Sequence, residues 1–508
     1  MAITAMNNVE VKCKIAIEEL EHRESSFLYK TLAPLCQTAY SEQQRFVFVN
    51  FAPVKAATLE HMVAVLNNID IPTYFVSVTT NQASTARYFR SLPDPISVIE
   101  SSSNTKPLFN SDNKMCAHAW VGLHVDPNGT TRLCCEYLDQ IKDNQGQPYN
   151  IKNSNILDIL DSNYIKQVRQ QFRQGITPSA CSTCSRRESA GGASKRTLTP
   201  YKLKNIYGSI NWESDDTDSI GFISGHLGNL CNLKCRICNE NFSSSIAAEK
   251  IKFSIYQDKK QDPVYQSFAN SWANYSEKFY AKLKQLVPQI KNFEFLGGEP
   301  LMVKENLDFM QYLIDTGHSK DCIFEFVTNG TQYPDIFNQA HLFKRLTITL
   351  SIDNLGERFE LERSGADWAI VERNVEQFVS CKNSSSSMEI GTSITVNIQN
   401  VYYLPELIEW LTAKGVSHYF YNWLDQPQWL SLDALTPAAR DMVLTKLTSS
   451  NLPAPDQEKL GMVIERVRQS ATSNGDEFCQ KMMHLDSIRS QKFSLTHKEI
   501  AQAMGYML

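Results

Sequence analysis

The sequence predicts an α/β fold, a partial (β/α)6 barrel with modules on either side, and three observations carry that prediction. Strand-like and helix-like segments alternate from about residue 220 to residue 425. Such alternation implies parallel strands joined by crossover helices. Six units are present, which fits a barrel open on one side better than a closed eight-unit one. The candidate strand ends also carry small, polar or sulfur-bearing residues, where a parallel barrel keeps its reactive groups. With 508 residues, 42% hydrophobic and 21% charged, the chain has the composition of an ordinary globular protein and is long enough for more than one domain.

The elements follow in order. Residues 1–105 read as a small α/β module: a strand at 45–51, a helical pattern at 58–67 and a second strand at 72–78. It is either a substrate-recruiting module or a scaffold that packs on the barrel. The run Ser-Ser-Ser-Asn-Thr-Lys-Pro at 101–107 reads as a linker. Residues 110–200 hold a first group of cysteines, and the polar run 215–219 reads as a connection. The barrel is expected over 215–425. Its candidate strands are 219–224, 292–296, 323–328, 346–352, 390–397 and 418–423. Helical patterns between them include 275–286, 303–316 and 368–381, and the serine-rich stretch 383–387 reads as a loop. Residues 426–508 read as a helical extension without a legible motif. There is no internal repeat.

A net charge of −5 supplies no basic field for nucleic acid, which disfavours RNA modification despite the local pair Lys195-Arg196. No apolar run reaches membrane-spanning length, and the first residues lack the features of a signal peptide, so no membrane association and a cytoplasmic location are expected. Thirteen cysteines are many for a reducing compartment, where clustered cysteines point to metal. Cys13, Cys36, Cys322, Cys381 and Cys479 are scattered and read as small buried hydrophobes.

The clustered cysteines carry the chemistry. Cys231, Cys235 and Cys238 lie just after the first barrel strand, spaced CxxxCxxC. Three thiolates on one loop can hold three irons of a 4Fe-4S cluster, and the missing fourth ligand leaves one iron for something other than protein. A zinc site or structural cluster is the competing reading, but zinc wants four ligands, typically in two CxxC pairs. Strand two ends in Gly297-Gly298-Glu299-Pro300, and glycines let a backbone approach a ligand closely. Strand three ends in Thr328-Asn-Gly330, strand four in Ser351-Ile-Asp353-Asn354, and strand five in Thr395-Val-Asn397. Ser351 and Asp353 offer a hydroxyl and a carboxylate, or alternatively a cap or turn.

This ordered set, over roughly residues 219–422, resembles the radical SAM superfamily. The resemblance implies that Cys231, Cys235 and Cys238 ligate three irons while S-adenosylmethionine (SAM) chelates the fourth. Gly297, Gly298 and Glu299 match the motif that meets the methionyl amino group. Ser351 and Asp353 match positions near the ribose or carboxylate. Arg363, expected in the helix after strand four, would pair with the SAM carboxylate, or else be a solvated helix charge. Cleavage of SAM would yield a 5′-deoxyadenosyl radical that abstracts a substrate hydrogen.

In the first cysteine group, Cys116 and Cys134 bracket a C-x12-G-x4-C segment whose Asp-Pro-Asn-Gly turn reads as a hairpin. A helical stretch at 155–173 follows, then Cys181-Ser-Thr-Cys184. Two hairpin cysteines plus a CxxC make a closed four-thiolate site, which iron or zinc can occupy. Cys135 competes with Cys134 for one position. His118, on the expected strand with Cys116 and Trp120, reads as packing or a hydrogen-bond donor rather than a ligand. The spacing resembles the auxiliary-cluster modules called SPASM and twitch; the single site fits twitch, although here the cysteines precede the barrel. The resemblance implies a second 4Fe-4S cluster on Cys116, Cys134, Cys181 and Cys184 that passes electrons.

The expected activity is radical SAM chemistry of oxidoreductase type, on a peptide in the manner of ribosomal-peptide maturation, with a flavodoxin- or ferredoxin-type electron donor. Dehydrogenation of a small-molecule alcohol is the alternative; it needs a proton acceptor in the barrel mouth, to which the sequence does not point. A non-catalytic iron–sulfur electron carrier is the alternative outside enzymes, but it has no use for a SAM site. Trp410, Tyr419, Tyr421 and Trp423 line a pocket or belong to the core, and strand alternation favours the core.

Overall fold

A computed structural model describes three short strands within residues 2–78 and, apart from residues 190–193, 216–219, 255, 257, 266–275 and 417, the chain from 115 to 506. The chain divides at Asn113 into two units. In the first, β1 (Ala2–Met6) pairs antiparallel with β2 (Phe46–Phe51), which pairs parallel with β3 (Phe75–Val78). The expected helix at 58–67 and the linker at 101–107 lie outside the described residues.

The second unit is built on one eight-stranded sheet. Its strands are β4 (Gly122–Val125), β5 (Thr131–Arg132), β6 (Phe222–His226), β8 (Asn292–Leu296), β9 (Ile323–Thr328), β10 (Arg345–Ser351), β12 (Met388–Val396) and β13 (Tyr419–Trp423). Their order is β13-β12-β10-β9-β8-β6-β4-β5, and every pairing except β4 with β5 is parallel. The two remaining strands, β7 (Lys234–Cys235) and β11 (Arg363–Ser364), form a separate antiparallel pair.

Strand alternation sorts the two faces. Phe293, Phe295, Phe324 and Phe326 are fully buried; the first three pack against Phe309 of the helix Lys304–Asp315, and Phe326 stacks on Phe324. Each such ring is worth roughly 1.5–3 kcal/mol of burial. The opposite face is polar, and the register sets His124, Ser224, Glu294, Glu325, Thr347 and Glu389 in one row across the sheet. The crossover helices Ser276–Leu286, Lys304–Asp315 and Trp368–Ser384 fall where periodicity puts them; Asp367 caps the last by accepting from Ile370 N at 3.3 Å.

Three local expectations change. The segment His118–Val121 is a helical turn and not a strand, so residues 116, 118 and 120 do not share a strand face. The helical stretch at 155–173 is two helices, Ile156–Leu160 and Asn163–Arg173, because Ser162 caps the second one through Ile165 N. The hairpin β4–β5, expected within the cysteine module of residues 110–200, joins the sheet of the later strands: β4 lies parallel to β6. Tyr419 is buried, and its ring continues through Tyr421 to Trp423 in one aromatic row, so these side chains pack as core. Among the described residues no helix is long and apolar enough to cross a membrane.

Candidate cofactor site at the strand ends

The loop 227–243 leaves the C-terminal end of β6 and is pinned by its own serines. Ser243 Oγ donates to Leu233 O at 2.7 Å, Ser245 Oγ to Cys231 O at 2.7 Å, and Ser244 Oγ accepts from Cys231 N at 3.1 Å. The strand-two motif closes on it from the next strand. Glu299 N donates to Leu230 O at 2.7 Å, and a Cβ at Gly298 would stand 2.3 Å from that same oxygen. Gly297 has a φ of +140°, a backbone that side chains rarely adopt. The two glycines thus bring a bare backbone against the cysteine loop.

Glu299 is fully buried and ties two strand ends together. Its Oε1 accepts from Thr328 Oγ1 at 2.7 Å and Leu301 N at 3.1 Å, and its Oε2 accepts from Asn329 N at 2.7 Å. Burial pushes its carboxyl up to about 7 against these donors. Its oxygens are therefore spent on protein groups, and the motif's free polar surface is backbone. Asn329, which sequence reasoning left as part of a strand-end motif, reaches Cys231 Sγ at 3.9 Å and Asn232 Oδ1 at 3.1 Å.

Asp353 and Arg363 form the third wall. Asp353 Oδ1 accepts from Thr395 N at 2.7 Å and Oδ2 from Arg363 Nη2 at 2.5 Å, both side chains nearly inaccessible. Arg363 does not lie in the helix after strand four. That helix ends at Glu362, and Arg363 begins β11, paired with Cys235 of the cysteine loop. Burial opposes its charge, but Asp353 and Cys235 outweigh that and hold the guanidinium protonated. Nη1 points to Cys235 Sγ at 3.7 Å, while the buried Nε has no partner among the described residues. A buried guanidinium nitrogen without an acceptor is costly, and a ligand carboxylate would satisfy it. Ser351 ends β10 opposite Ser393 and is half-buried.

Burial raises all three loop thiols, Cys231 to about 11 and Cys238 to about 12. Soft sulfur donors on one loop suit iron or zinc. Among the described residues no group of three or more His, Cys, Asp or Glu stands at metal-holding distances. The donor chemistry nevertheless fits a metal group: three thiols, amide and guanidinium donors to their sulfurs, and a spare guanidinium N–H beside them.

The N-terminal cysteines influence one another's charge. Cys116 and Cys181 are each raised to about 12, first by burial; Cys184 adds to both, and Cys116 adds to Cys181. Cys134 is raised too, by burial and then by Cys135 and Cys116. Cys135 instead accepts from Lys195 Nζ at 3.2 Å, and Lys195 pairs with Glu294 at 2.9 Å. His118 bonds Thr199 Oγ1 through Nε2 at 3.0 Å and stacks edge-on against Phe222.

The polar face of the sheet holds one arrangement that no motif signalled. Ser224 Oγ, His124 Nδ1 and Nε2, and His226 Nδ1 form a chain with spacings of 2.8 and 3.3 Å. Ser224 and His124 are buried; His226, edge-on to Phe242 from the cysteine loop, is partly exposed. Burial lowers both imidazoles, His226 to about 4, so both are neutral at neutral pH.

No protein family matches the chain by sequence, and no curated protein matches it. Solved structures do. Native anSMEcpe with bound AdoMet is 16% identical with a TM-score of 0.31, over 52% of this chain and 66% of that one. Streptococcus suis SuiB bound to precursor peptide SuiA is 13% identical with a TM-score of 0.30, over 58% and 62%. The same protein bound to S-adenosylmethionine is 12% identical with a TM-score of 0.29, over 66% and 68%. The chain thus spans just under two thirds of the length of anSMEcpe.

Proposed function

We propose that this chain is a radical SAM enzyme carrying one open 4Fe-4S cluster on Cys231, Cys235 and Cys238 and an auxiliary cluster on Cys116, Cys134, Cys181 and Cys184. The observation that carries the reading is the buried Arg363: it faces Cys235 with one nitrogen, is held by Asp353 through another, and keeps Nε unpartnered. An electron carrier needs no such cation with a spare donor, whereas a chelating amino acid brings a carboxylate. Bound and reduced, the cluster would cleave SAM to a 5′-deoxyadenosyl radical that takes a substrate hydrogen atom.

The chain's own residues then have definite tasks. The backbone at Gly297 and Gly298 meets the methionyl end, with Glu299 holding that strap to strand three and not itself binding. Arg363 takes the carboxylate, and Asp353 keeps the guanidinium in place. Ser351, at the end of β10, would stand near the ribose. The primary substrate class is a peptide matured at a carbon atom, with electrons supplied by a flavodoxin- or ferredoxin-type donor.

Dehydrogenation of a small alcohol gains support from one observation. His226 is a neutral, partly exposed imidazole backed by His124 and Ser224, and offers an acceptor for the proton, a weak one because burial lowers it to about 4. A panel of small alcohols that raises 5′-deoxyadenosine formation would favour this branch over peptides.

The deciding experiment is anaerobic reconstitution with iron and sulfide, followed by an iron count and a 5′-deoxyadenosine assay with SAM and dithionite. Roughly eight irons per chain and product formation abolished by Cys235→Ala are expected. Iron without SAM cleavage would leave an electron carrier.

A further inference from the structure

The C-terminal helices make their polar contacts where the cofactor loop needs support. Arg236, between Cys235 and Cys238, has no exposed side-chain surface and pairs with Asp486 of the helix Asp476–Arg489 at 2.6 Å. The same guanidinium reaches Gln491 Oε1 at 3.0 Å, Leu361 O at 3.2 Å and the sulfur of Met482. Arg489 donates to Lys234 O at 2.8 Å and pairs with Glu249, which also binds Lys234, both at 2.8 Å. On the Arg363 side, Gln491 Nε2 reaches Ser364 Oγ at 3.4 Å and His497 Nε2 meets Glu362 Oε1 at 3.0 Å.

Asp486 is itself fixed, accepting from Phe493 N at 2.6 Å and Tyr506 Oη at 2.7 Å. Ser490, between Arg489 and Gln491, has a φ of +53° and is the one non-glycine residue in the left-handed region among the described residues. Such a conformation persists only where the surroundings over-determine it. Here it lets residues on both sides of the helix end turn to the same loop.

We propose that residues 476–506 are a clamp that holds the cysteine loop and the adjoining Arg363 strand in their cofactor-receiving shape, with Asp486 and Arg489 as positioning residues. A site whose supporting contacts are already made does not order its loop when the cofactor arrives. The iron arm of the test rests on the function proposed above; the exchange arm does not.

Hydrogen exchange of the iron-free, full-length protein reads the clamp directly. In Asp486→Asn, which leaves the Arg236 charge buried without its counter-ion, and in Arg489→Met, amides of residues 231–238 should exchange faster by roughly two orders of magnitude. Arg466→Met removes a two-bond pair with Asp433 in the same helical region without touching the loop, and should leave those amides unchanged. Replacing the pair together, Arg236→Met with Asp486→Leu, should restore much of the protection, since apolar groups can fill a buried ion pair's place. After reconstitution, Asp486→Asn should also lose at least half of the electron-paramagnetic signal that shifts on adding SAM. Unchanged exchange in Asp486→Asn, or equal acceleration in Arg466→Met, overturns the clamp. Absence of a SAM-sensitive signal in the unaltered protein instead overturns the open-cluster reading, and the exchange arm still decides the clamp.

Discussion

The loop of Cys231, Cys235 and Cys238 is bonded to the ends of neighbouring strands, to Arg363 and to the C-terminal helices, whereas Cys116, Cys134 and Cys181 stand among other thiols that raise them. Around the first group, the amide of Asn329 and the guanidinium of Arg363 point at sulfur, and one guanidinium nitrogen stays unpartnered. Around the second, the thiols influence one another and feel Arg196, Glu188 and Lys195, while Lys195 itself bonds Cys135 and Glu294. A site that must admit a ligand needs rigid walls built from other elements and donors left over. A site closed by its own four sulfurs needs neither.

Single substitutions can break that contrast. The largest effect is expected for Cys235→Ala, which should remove about half of the iron and all SAM cleavage, while Cys181→Ala should remove a similar share of iron yet leave SAM cleavage in place. Comparing Cys134→Ala with Cys135→Ala sharpens the closed side: iron should fall in the first and hold in the second, because Cys134 is the one coupled to Cys116. Next comes Arg363→Lys. A lysine ammonium that meets Asp353 has no counterpart of the spare Nε, and SAM should bind about tenfold or more weakly, read by calorimetry on reconstituted protein.

A smaller effect is expected for Gly298→Ala, whose new methyl group would meet Leu230 O. Moving the cysteine loop to make room should cost ~1–3 kcal/mol, measured by denaturant unfolding of the iron-free chain. The smallest is a pH effect at His226. Its folded pKa, about 4, lies below its ordinary value of 6.5. The unfolded chain therefore binds the proton first, and this residue's contribution is complete above about pH 6.5 and lost as pH falls toward 4. His226→Gln should flatten that part of the stability profile, and an unaltered acid limb would mean the imidazole titrates normally.

Much of the barrel-like sheet was legible because its strands repeat a strong local signal. The runs Asn292–Leu296 and Ile323–Thr328 alternate phenylalanine with polar residues, and the structure begins and ends both strands where the sequence does. The cysteine loop was legible for a similar reason: three ligands lie within eight residues. Arg363 was placed on a helix because Gly356–Glu362 has helical composition up to its last residue; its pairing with Cys235 is a contact across 128 positions. The hairpin's turn was readable from Asp-Pro-Asn-Gly, but β4 finds its parallel neighbour only in β6, about 100 residues later. His118 was misplaced because a single helical turn leaves no periodicity to read.

By itself, then, the sequence determined the alternation of strands and helices, the local sets of cysteines and the glycine pair that approaches them, since each depends on spacing within a few residues. Tertiary structure alone decided that Glu299 braces two strand ends, that Ser224, His124 and His226 form one chain, and that Arg236 is neutralised by Asp486. Those outcomes depend on which distant charge or donor shares a buried space. Burial makes such pairings decisive, because an unpaired group there is costly, and no local spacing records them.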